Sequence, residues 1–449
     1  MKKKLWVLLL TAILLIPLLT LGRVEAKSLT YQVSTVKKGG VQEDCNGYTL
    51  WFSDSATKNP CEWVKSGGKW YLKNTKTKKY VKDSFVLVDG KHYYLDAKGV
   101  MKTGNFTKTF SWSSYKETFH ADSNGALKGG WLGKKYSRSG WVAHDVFLRI
   151  GGKKYYFAPE NQEYITGLAV FNGKSAYYAD GKGVIVEKKY VQIPDAKTGK
   201  NRPFYCTEGG KIKNGWNTYN GKVVYTYTNY GGVGYSRGWL QTGGKWYYLN
   251  ANGEMLTGWQ TINGKRCYLE KNSNNGTVNG ESLAAAKCKC IDNIGGKEYV
   301  FDKNCYLMTG LLVDPLGSAG IYYTDSTGAI QKDLKWLKLS GKYYYITKDG
   351  HGYRDIVTEI DNKVYGFDSK GVMQTKWFKW LGYKWFYFDG EGAATLGWKK
   401  LGGYWYYFAP SKMTIGSTIF SKGQMLVSTS KKIGNKTYNF NADGHCTNP

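Results

Sequence analysis

Gly238-Trp239-Leu240-Gln241-Thr242-Gly243-Gly244-Lys245-Trp246-Tyr247-Tyr248-Leu249-Asn250-Ala251-Asn252-Gly253-Glu254-Met255-Leu256-Thr257 is one twenty-residue phrase, and Gly258-Trp259 begins it again. As a pattern it reads G-W-x4-G-K-W-Y-Y-x4-G-x-M-x-T. The segment ahead of the Gly-Lys pair is short and alternating. Gly243-Gly244 supplies a turn, and Lys-Trp-Tyr-Tyr-Leu supplies aromatic β-formers for a returning strand. Asn250-Ala251-Asn252-Gly253 has the composition of a second turn, toward the next copy. Each copy therefore predicts a β-hairpin.

The position held by Trp246 recurs at 70, 92, 154, 176, 223, 266, 298, 322, 343, 364, 385, 405 and 437, with gaps that cluster at 20 to 24. Clear copies include Gly90-Lys91-His92-Tyr93-Tyr94 with Gly99 and Met101, Gly152-Lys153-Lys154-Tyr155-Tyr156, Gly341-Lys342-Tyr343-Tyr344-Tyr345 and Gly403-Tyr404-Trp405-Tyr406-Tyr407. Four wider gaps hold decayed copies or insertions. Phe119 with Gly125 and Lys134-Lys135-Tyr136 fill one, Phe204-Tyr205 with Gly210 another, 270–293 reads as an insertion, and 409–433 as a blurred copy. One hairpin alone is marginal in water. Stacked copies that bury each other's Trp and Tyr faces give an all-β solenoid of tandem hairpins with an aromatic spine and few or no helices. The one helix-favouring run is 281–290. This architecture explains 57 Gly, 38 Tyr and 17 Trp beside 8 Pro in 449 residues. Aromatic content of 16% argues against disorder, and Gly without a strict period excludes collagen. Length alone suggests about three domains at roughly 150 residues each; the repeat replaces them with one array.

The cassette resembles the cell-wall-binding, or choline-binding, repeat of exported Gram-positive surface proteins and wall-lytic enzymes, with relatives in glucan-binding regions and clostridial toxin repeats. The resemblance covers about residues 63–449. It implies that two aromatics of one hairpin and one of the next form a cage for a quaternary ammonium, with a Met close by. The attraction is cation–π, roughly 0.5–2 kcal/mol per ring. Complete Trp-x6-Trp pairs stand at Trp63/Trp70, Trp239/Trp246 and Trp398/Trp405; Trp336/Tyr343 keeps the spacing, and Trp377/Trp385 has one extra residue. Tyr268 and Met255 are expected to close the Trp239/Trp246 pair. Elsewhere one member is missing: Trp216 leads Val223, Trp259 leads Arg266, Phe85 leads His92 and Phe147 leads Lys154. A Lys or Arg in a cage should repel a cationic ligand, so most such stations are expected to be spine only.

Before the array, Lys2, Lys3 and Lys4 precede an apolar run over 5–21, and Val24-Glu25-Ala26 follows Arg23. That is the layout of a secretory signal, expected to end at Ala26, with 27–62 as an N-terminal cap segment. The formal charge of +30 becomes +27 without the signal. Lysines recur at the hairpin turn (69, 91, 153, 222, 245, 265, 297 and 342), a ladder that would attract polyanions or merely face water. For an exported chain those polymers are teichoic acids and glycans rather than nucleic acid, and no membrane is involved after signal cleavage. No catalytic residues, metal or cofactor are expected. No uninterrupted stretch outside the copies reaches ordinary domain size. Gly234-Tyr235-Ser236-Arg237-Gly238 matches GxSxG, but a hairpin rather than a helix should follow it. His120-Ala121-Asp122 and His144-Asp145 lack a nucleophile. The eight cysteines favour disulfides in an exported chain. Cys45–Cys61 would close the cap, and Cys267, Cys288, Cys290 and Cys305 could tie the insertion to its flanks; a four-cysteine metal site lacks the right spacing. The reading is a secreted, non-catalytic, wall-associated protein that binds choline-bearing teichoic acid or glycan. An adhesin or toxin-like array for host glycans or proteins, and a ligand-free spacer, are the alternatives.

Overall fold

The structure is a computed structural model, described here for residues 28–113, 116–317 and 319–449. The expected signal, 1–26, lies outside the described residues. The chain divides into two compact units, one running to Lys213 with Thr228–Val233, the other comprising Asn214–Tyr227 and Gly234–Pro449.

Both units are all-β, and the hairpin is the recurring element. Gly238–Thr242 pairs antiparallel with Lys245–Leu249, setting Trp239 opposite Tyr248. Gly243 and Gly244 both take positive φ, 57° and 73°, as the two-residue turn between twisted strands requires. Gly253 also sits at positive φ, and a Cβ there would lie 2.7 Å from Tyr235, so this turn needs glycine for space as well. Trp377/Trp385 keeps its hairpin despite the extra residue, because a three-residue turn, Leu381-Gly382-Tyr383, absorbs it.

Residues alternate between the two faces of a strand, and that alternation builds the spine. Within Lys245–Leu249, Trp246 and Tyr248 share the face of their own hairpin's Trp239, with ring centroids 6.3 and 5.2 Å away. Tyr247 and Leu249 take the other face and are buried, with Tyr247 4.8 Å from Trp216 of the preceding hairpin. The same division recurs. Trp259 meets its own Tyr268 at 5.1 Å and Tyr299 of the next full hairpin at 4.8 Å; Trp336 meets Tyr345 at 5.2 Å and Tyr365 at 4.7 Å. A second stitch is a backbone hydrogen bond. The residue two after the closing-turn Gly donates its N–H to the carbonyl of the earlier hairpin's station residue: Met101 to Trp70, Met255 to Val223, Met373 to Tyr343, Met425 to Trp385, each at 2.8 Å.

In the first unit, Thr30–Lys38 of the cap segment pairs with Leu50–Asp54, Asn59–Ser66 and Ser84–Val88, and the hairpin partners Lys69–Asn74 and Lys91–Leu95 complete one six-stranded sheet. Cys45 and Cys61 are both free, so the cap is held by strand pairing and not by the expected disulfide. Glu117 is fully buried here, accepting from Tyr48 Oη (2.6 Å), Ser113 Oγ (2.9 Å) and Trp141 Nε1 (3.0 Å), with His144 Nε2 at 2.9 Å. Burial alone would raise its carboxyl, yet these partners hold it below the usual range. His144 thus belongs to a closed polar network in the core.

In the second unit the insertion contains no α-helix. Residues 273–275 form a single 3₁₀ turn; Glu281–Ser282 and Ala284–Ala286 are strands, the latter added to the edge of Lys265–Lys271. The helix-favouring run 281–290 is overridden because Ala284 and Ala285 are buried against the array, where edge pairing satisfies their backbone. Of the four cysteines near it, Cys288 and Cys305 are bonded; Cys267 and Cys290 are free. Among the described residues, no group of three or more metal-ligating side chains comes together.

Candidate functional site

The alternation and the backbone stitch together define a station built from successive hairpins. Its first wall is the Trp of one hairpin, its second the aromatic at the Trp246-equivalent position, and its third the residue one later on the next full hairpin. A Met commonly forms the floor.

At the Trp377 station all four parts are present. Trp377 and Trp385 stand at 88° with centroids 6.0 Å apart, and Tyr406 meets Trp377 at 5.1 Å and 69°. Met425 lies beneath, Asp443 and His445 form the rim, and the cavity measures about 470 Å³. Phe408, fully buried, backs Trp377 at 6.0 Å. Trp398 and Trp405 repeat the corner at 6.2 Å and 90°, with Tyr438 4.7 Å from Trp398, around a 340 Å³ cavity. Trp336, Tyr343, Tyr365 and Met373 line a third, of 300 Å³, with Glu391 at its rim. In the first unit Trp63 meets Tyr93 at 5.0 Å, with Met101 in the same cluster and Trp70 40% exposed beside them.

The Trp239/Trp246 pair forms the same corner, 6.3 Å and 88°, but Tyr268 and Met255 do not close it. Tyr268 is one residue too far along its strand, so it faces its own Trp259; the third-wall position falls on Cys267, which is buried. Met255 docks one hairpin back, on the station of Trp216, Val223 and Tyr247. The actual third wall is Tyr306, whose hydroxyl accepts from Trp239 Nε1 at 3.3 Å and whose ring lies 6.0 Å from Trp239. Lys303, Asn304 and Cys305 complete a 340 Å³ cavity. The Cys288–Cys305 disulfide ties down the residue next to Tyr306.

At three stations with a missing member the protein supplies its own cation or a cover, although a cavity of about 510 Å³ remains beside Phe147, Lys154 and Tyr177. Arg266 stacks on Trp259 with its guanidinium carbon 4.5 Å from the ring centroid. Lys154 Nζ sits 4.5 Å from the ring centre of Phe147 and 4.7 Å from that of Tyr177, and donates to the Gly209 carbonyl at 2.7 Å. Burial pushes the Lys154 ammonium below its ordinary pKa. These cations were expected to repel a ligand; they occupy the ring faces that a ligand would use. Asp44 of the cap segment accepts from Tyr177 Oη and pairs with Lys211 at 3.0 Å. Burial tends to raise its carboxyl, and the Tyr177, Ser175 and Lys211 contacts outweigh that and hold it low. The Trp216 station is covered by the insertion, through Val278, Leu283 and Ala285. The insertion also ties Lys245 of the turn ladder to Asn274 O (2.6 Å) and Asn275 Oδ1 (3.1 Å).

Sequence spacing thus located the Trp corners but missed Tyr406, Tyr438, Tyr365, Tyr93 and Tyr306. For the first four the signal was available: a Tyr one residue after the station position of the next full hairpin. Tyr306 lies in a turn, and nothing in the spacing points to it. Ser236 of the GxSxG match is followed by strand Gly238–Thr242, so the strand–turn–helix of a nucleophile elbow is not formed.

A choline-binding repeat matches residues 236–280, and a cell wall binding repeat matches 83–101 and 397–411. Glucosyltransferase-S of Streptococcus mutans serotype c is 28% identical over 207 residues, covering 36% of this chain and 14% of that protein, so the chain spans about one seventh of that relative. Among solved structures, choline binding protein F from Streptococcus pneumoniae aligns at 19% identity over 86% of this chain and 98% of that one, TM-score 0.21. The choline-binding domain of CbpL from Streptococcus pneumoniae aligns at 22% identity over 48% of this chain and 98% of that one, TM-score 0.27. On the residues matched and the hairpins they form, this chain carries repeats of the cell-wall-binding, choline-binding type.

Proposed function

We propose that the chain is a non-catalytic, exported surface protein that holds a bacterial wall polymer through its open aromatic boxes, and that the group they take is the quaternary ammonium of choline-bearing teichoic acid. The observation that carries this reading is the Trp377 station. Three rings present faces at steep angles around one cavity, a polarizable Met forms the floor, and a carboxylate, Asp443, stands at the rim. A methylated ammonium gains cation–π attraction from each ring, roughly 0.5–2 kcal/mol, and avoids the hydration cost of a bare ammonium. Several weak boxes on one chain gain affinity for a polymer through effective concentration.

Equilibrium dialysis of choline against the full chain tests this. Trp385→Ala should remove one equivalent of bound choline, with an unchanged circular dichroism spectrum showing that the fold is intact. Protein held on purified bacterial walls should then be released by choline and not by dextran or salt. Release by dextran alone would replace choline with a neutral glycan, and release by salt alone would shift the function to the turn lysines. Binding to epithelial glycans with none to walls would favour the adhesin reading.

A further inference from the structure

At three boxes the rim comes from the closing turn of a later hairpin, and these turns correspond position for position. At the Trp336 box the turn is Asp389-Gly390-Glu391-Gly392, at the Trp377 box Asn441-Ala442-Asp443-Gly444, and at the Trp239 box Asp302-Lys303-Asn304-Cys305. In all three, the first residue's Oδ1 accepts from the backbone N–H of the third and fifth: 2.9 and 2.9 Å for Asp389, 3.0 and 2.8 Å for Asn441, 2.8 and 2.8 Å for Asp302. With the geometry held constant, the side chains differ. Gly390 and Ala442 are replaced by Lys303, and the acids Glu391 and Asp443 by Asn304. The rim charge is inverted.

Two further differences move the resident lysine from the second wall to the third. The second-wall aromatic faces a cross-strand Lys elsewhere (Lys338 opposite Tyr343, Lys379 opposite Trp385, Lys400 opposite Trp405), but Trp246 faces Gln241. The third wall, Tyr306, already carries a cation, with Lys265 Nζ 5.2 Å from its ring centre. A quaternary ammonium entering here would meet Lys303 where the Trp336 and Trp377 boxes offer a carboxylate.

We infer that the Trp239–Trp246–Tyr306 cavity binds an anionic sugar, a pyranose bearing a carboxylate or phosphate. The two perpendicular indoles give apolar faces for the ring, Asn304 gives a hydrogen-bond partner to its hydroxyls, and Lys303 pairs with the charge. The inference rests on this cavity alone and is separate from the choline reading of the other boxes.

Calorimetric titration of the full chain at low ionic strength tests it, with D-glucuronic acid, D-glucose 1-phosphate, D-glucose and choline chloride as probes. The acidic sugars should bind in preference to glucose, and Trp246→Ala should abolish that site. Lys303→Gln should weaken it by about fivefold or more, the effect of losing one charge-assisted hydrogen bond. The paired change Lys303→Ala with Asn304→Asp restores the rim of the other boxes and should add one equivalent of choline. The stronger of the two acidic probes identifies carboxylate or phosphate. Acidic sugars binding no better than glucose, indifference to Lys303→Gln, or loss of a choline equivalent in Trp246→Ala would each overturn the inference. Failure of the choline reading would instead appear as no choline bound by the unaltered chain, leaving the Lys303 result to stand.

Discussion

The regions around Phe147 and Trp377 share one frame and reach opposite ends. In each, an aromatic on the first strand meets a Tyr one residue past the next hairpin's station position: Phe147 with Tyr177 at 4.7 Å, Trp377 with Tyr406 at 5.1 Å. The residue between them decides the outcome. Trp385 adds the second aromatic wall, whereas Lys154 places its own ammonium against both rings. The hairpin is therefore a neutral scaffold, and one side chain decides whether its cavity, about 510 Å³ at Phe147, is walled by rings alone or holds a resident cation. Asp44 adds a carboxylate to the lining of the Phe147 cavity and pairs with Tyr177 and Lys211.

The strongest test of this contrast removes equivalent core rings. Phe408 and Phe157 are each the fifth residue of a second strand and are fully buried. Substituting either by Ala should cost about 3–5 kcal/mol in thermal or denaturant unfolding. Only Phe408→Ala should also reduce bound choline, because Phe408 supports Trp377; equal losses in both variants would break the contrast.

Next in size is the Cys288–Cys305 bond, which closes a loop 17 residues apart in sequence. Loss through Cys288→Ser or reductant should lower the stability of the second unit by about 3 kcal/mol in the chain-entropy account. It should also loosen the wall carrying Tyr306 while leaving the Trp377 box unchanged. Calorimetry with choline and with glucuronic acid, in the presence and absence of reductant, separates the two.

Smaller again is the effect of clearing the resident cation from the Phe147 cavity. Lys154→Met removes that cation and should let choline bind weakly at Phe147 and Tyr177, with about 0.5–2 kcal/mol from each ring. An extra equivalent in dialysis is the expected result. If none is gained, Lys154 is not what keeps choline from the station.

The smallest effect concerns alkaline pH. Burial, followed by the Asp44 hydrogen bond, pushes the Tyr177 hydroxyl far above its ordinary range; Tyr406 is raised chiefly by burial. A raised folded-state pKa gives stability that is complete below the unfolded value, about 10, and is lost as pH climbs through the folded one. Lys154 has the opposite sign: its depressed value makes stability rise with pH just below its ordinary pKa, about 10.4. Tyr177→Phe should therefore flatten the alkaline decline around the Phe147 joint, and an unchanged melting profile above pH 10 would remove the Asp44 bond from the account.

Much of this was legible in advance. The Gly-Lys turn, the aromatic return strand and the spacing near twenty residues depend on local conformational preference and on period-2 alternation. Both are properties of contiguous residues, so Trp239, Trp246, Trp377, Trp385, Trp398 and Trp405 were found in the corners where the structure places them. Tyr268 shows where the reading failed. It lies on the next hairpin, but a one-residue displacement along a strand turns a side chain to the opposite face. The helix expected over 281–290 failed for a different reason: an exposed strand edge and a buried Ala face outweighed a weak intrinsic preference.

The sequence by itself determined that this chain is a run of β-hairpins with Trp and Tyr at regular stations, because turn chemistry and strand periodicity act over a few residues. Only the tertiary structure decided what each station presents to a ligand. That depends on residues far apart along the chain: Asp44 over Tyr177, Val278 and Leu283 over Trp216, Tyr306 beside Trp239. Each station is assembled from several hairpins, so its walls meet only after stacking, and a rim charge such as Lys303 or Asp443 acquires meaning from the cavity it borders.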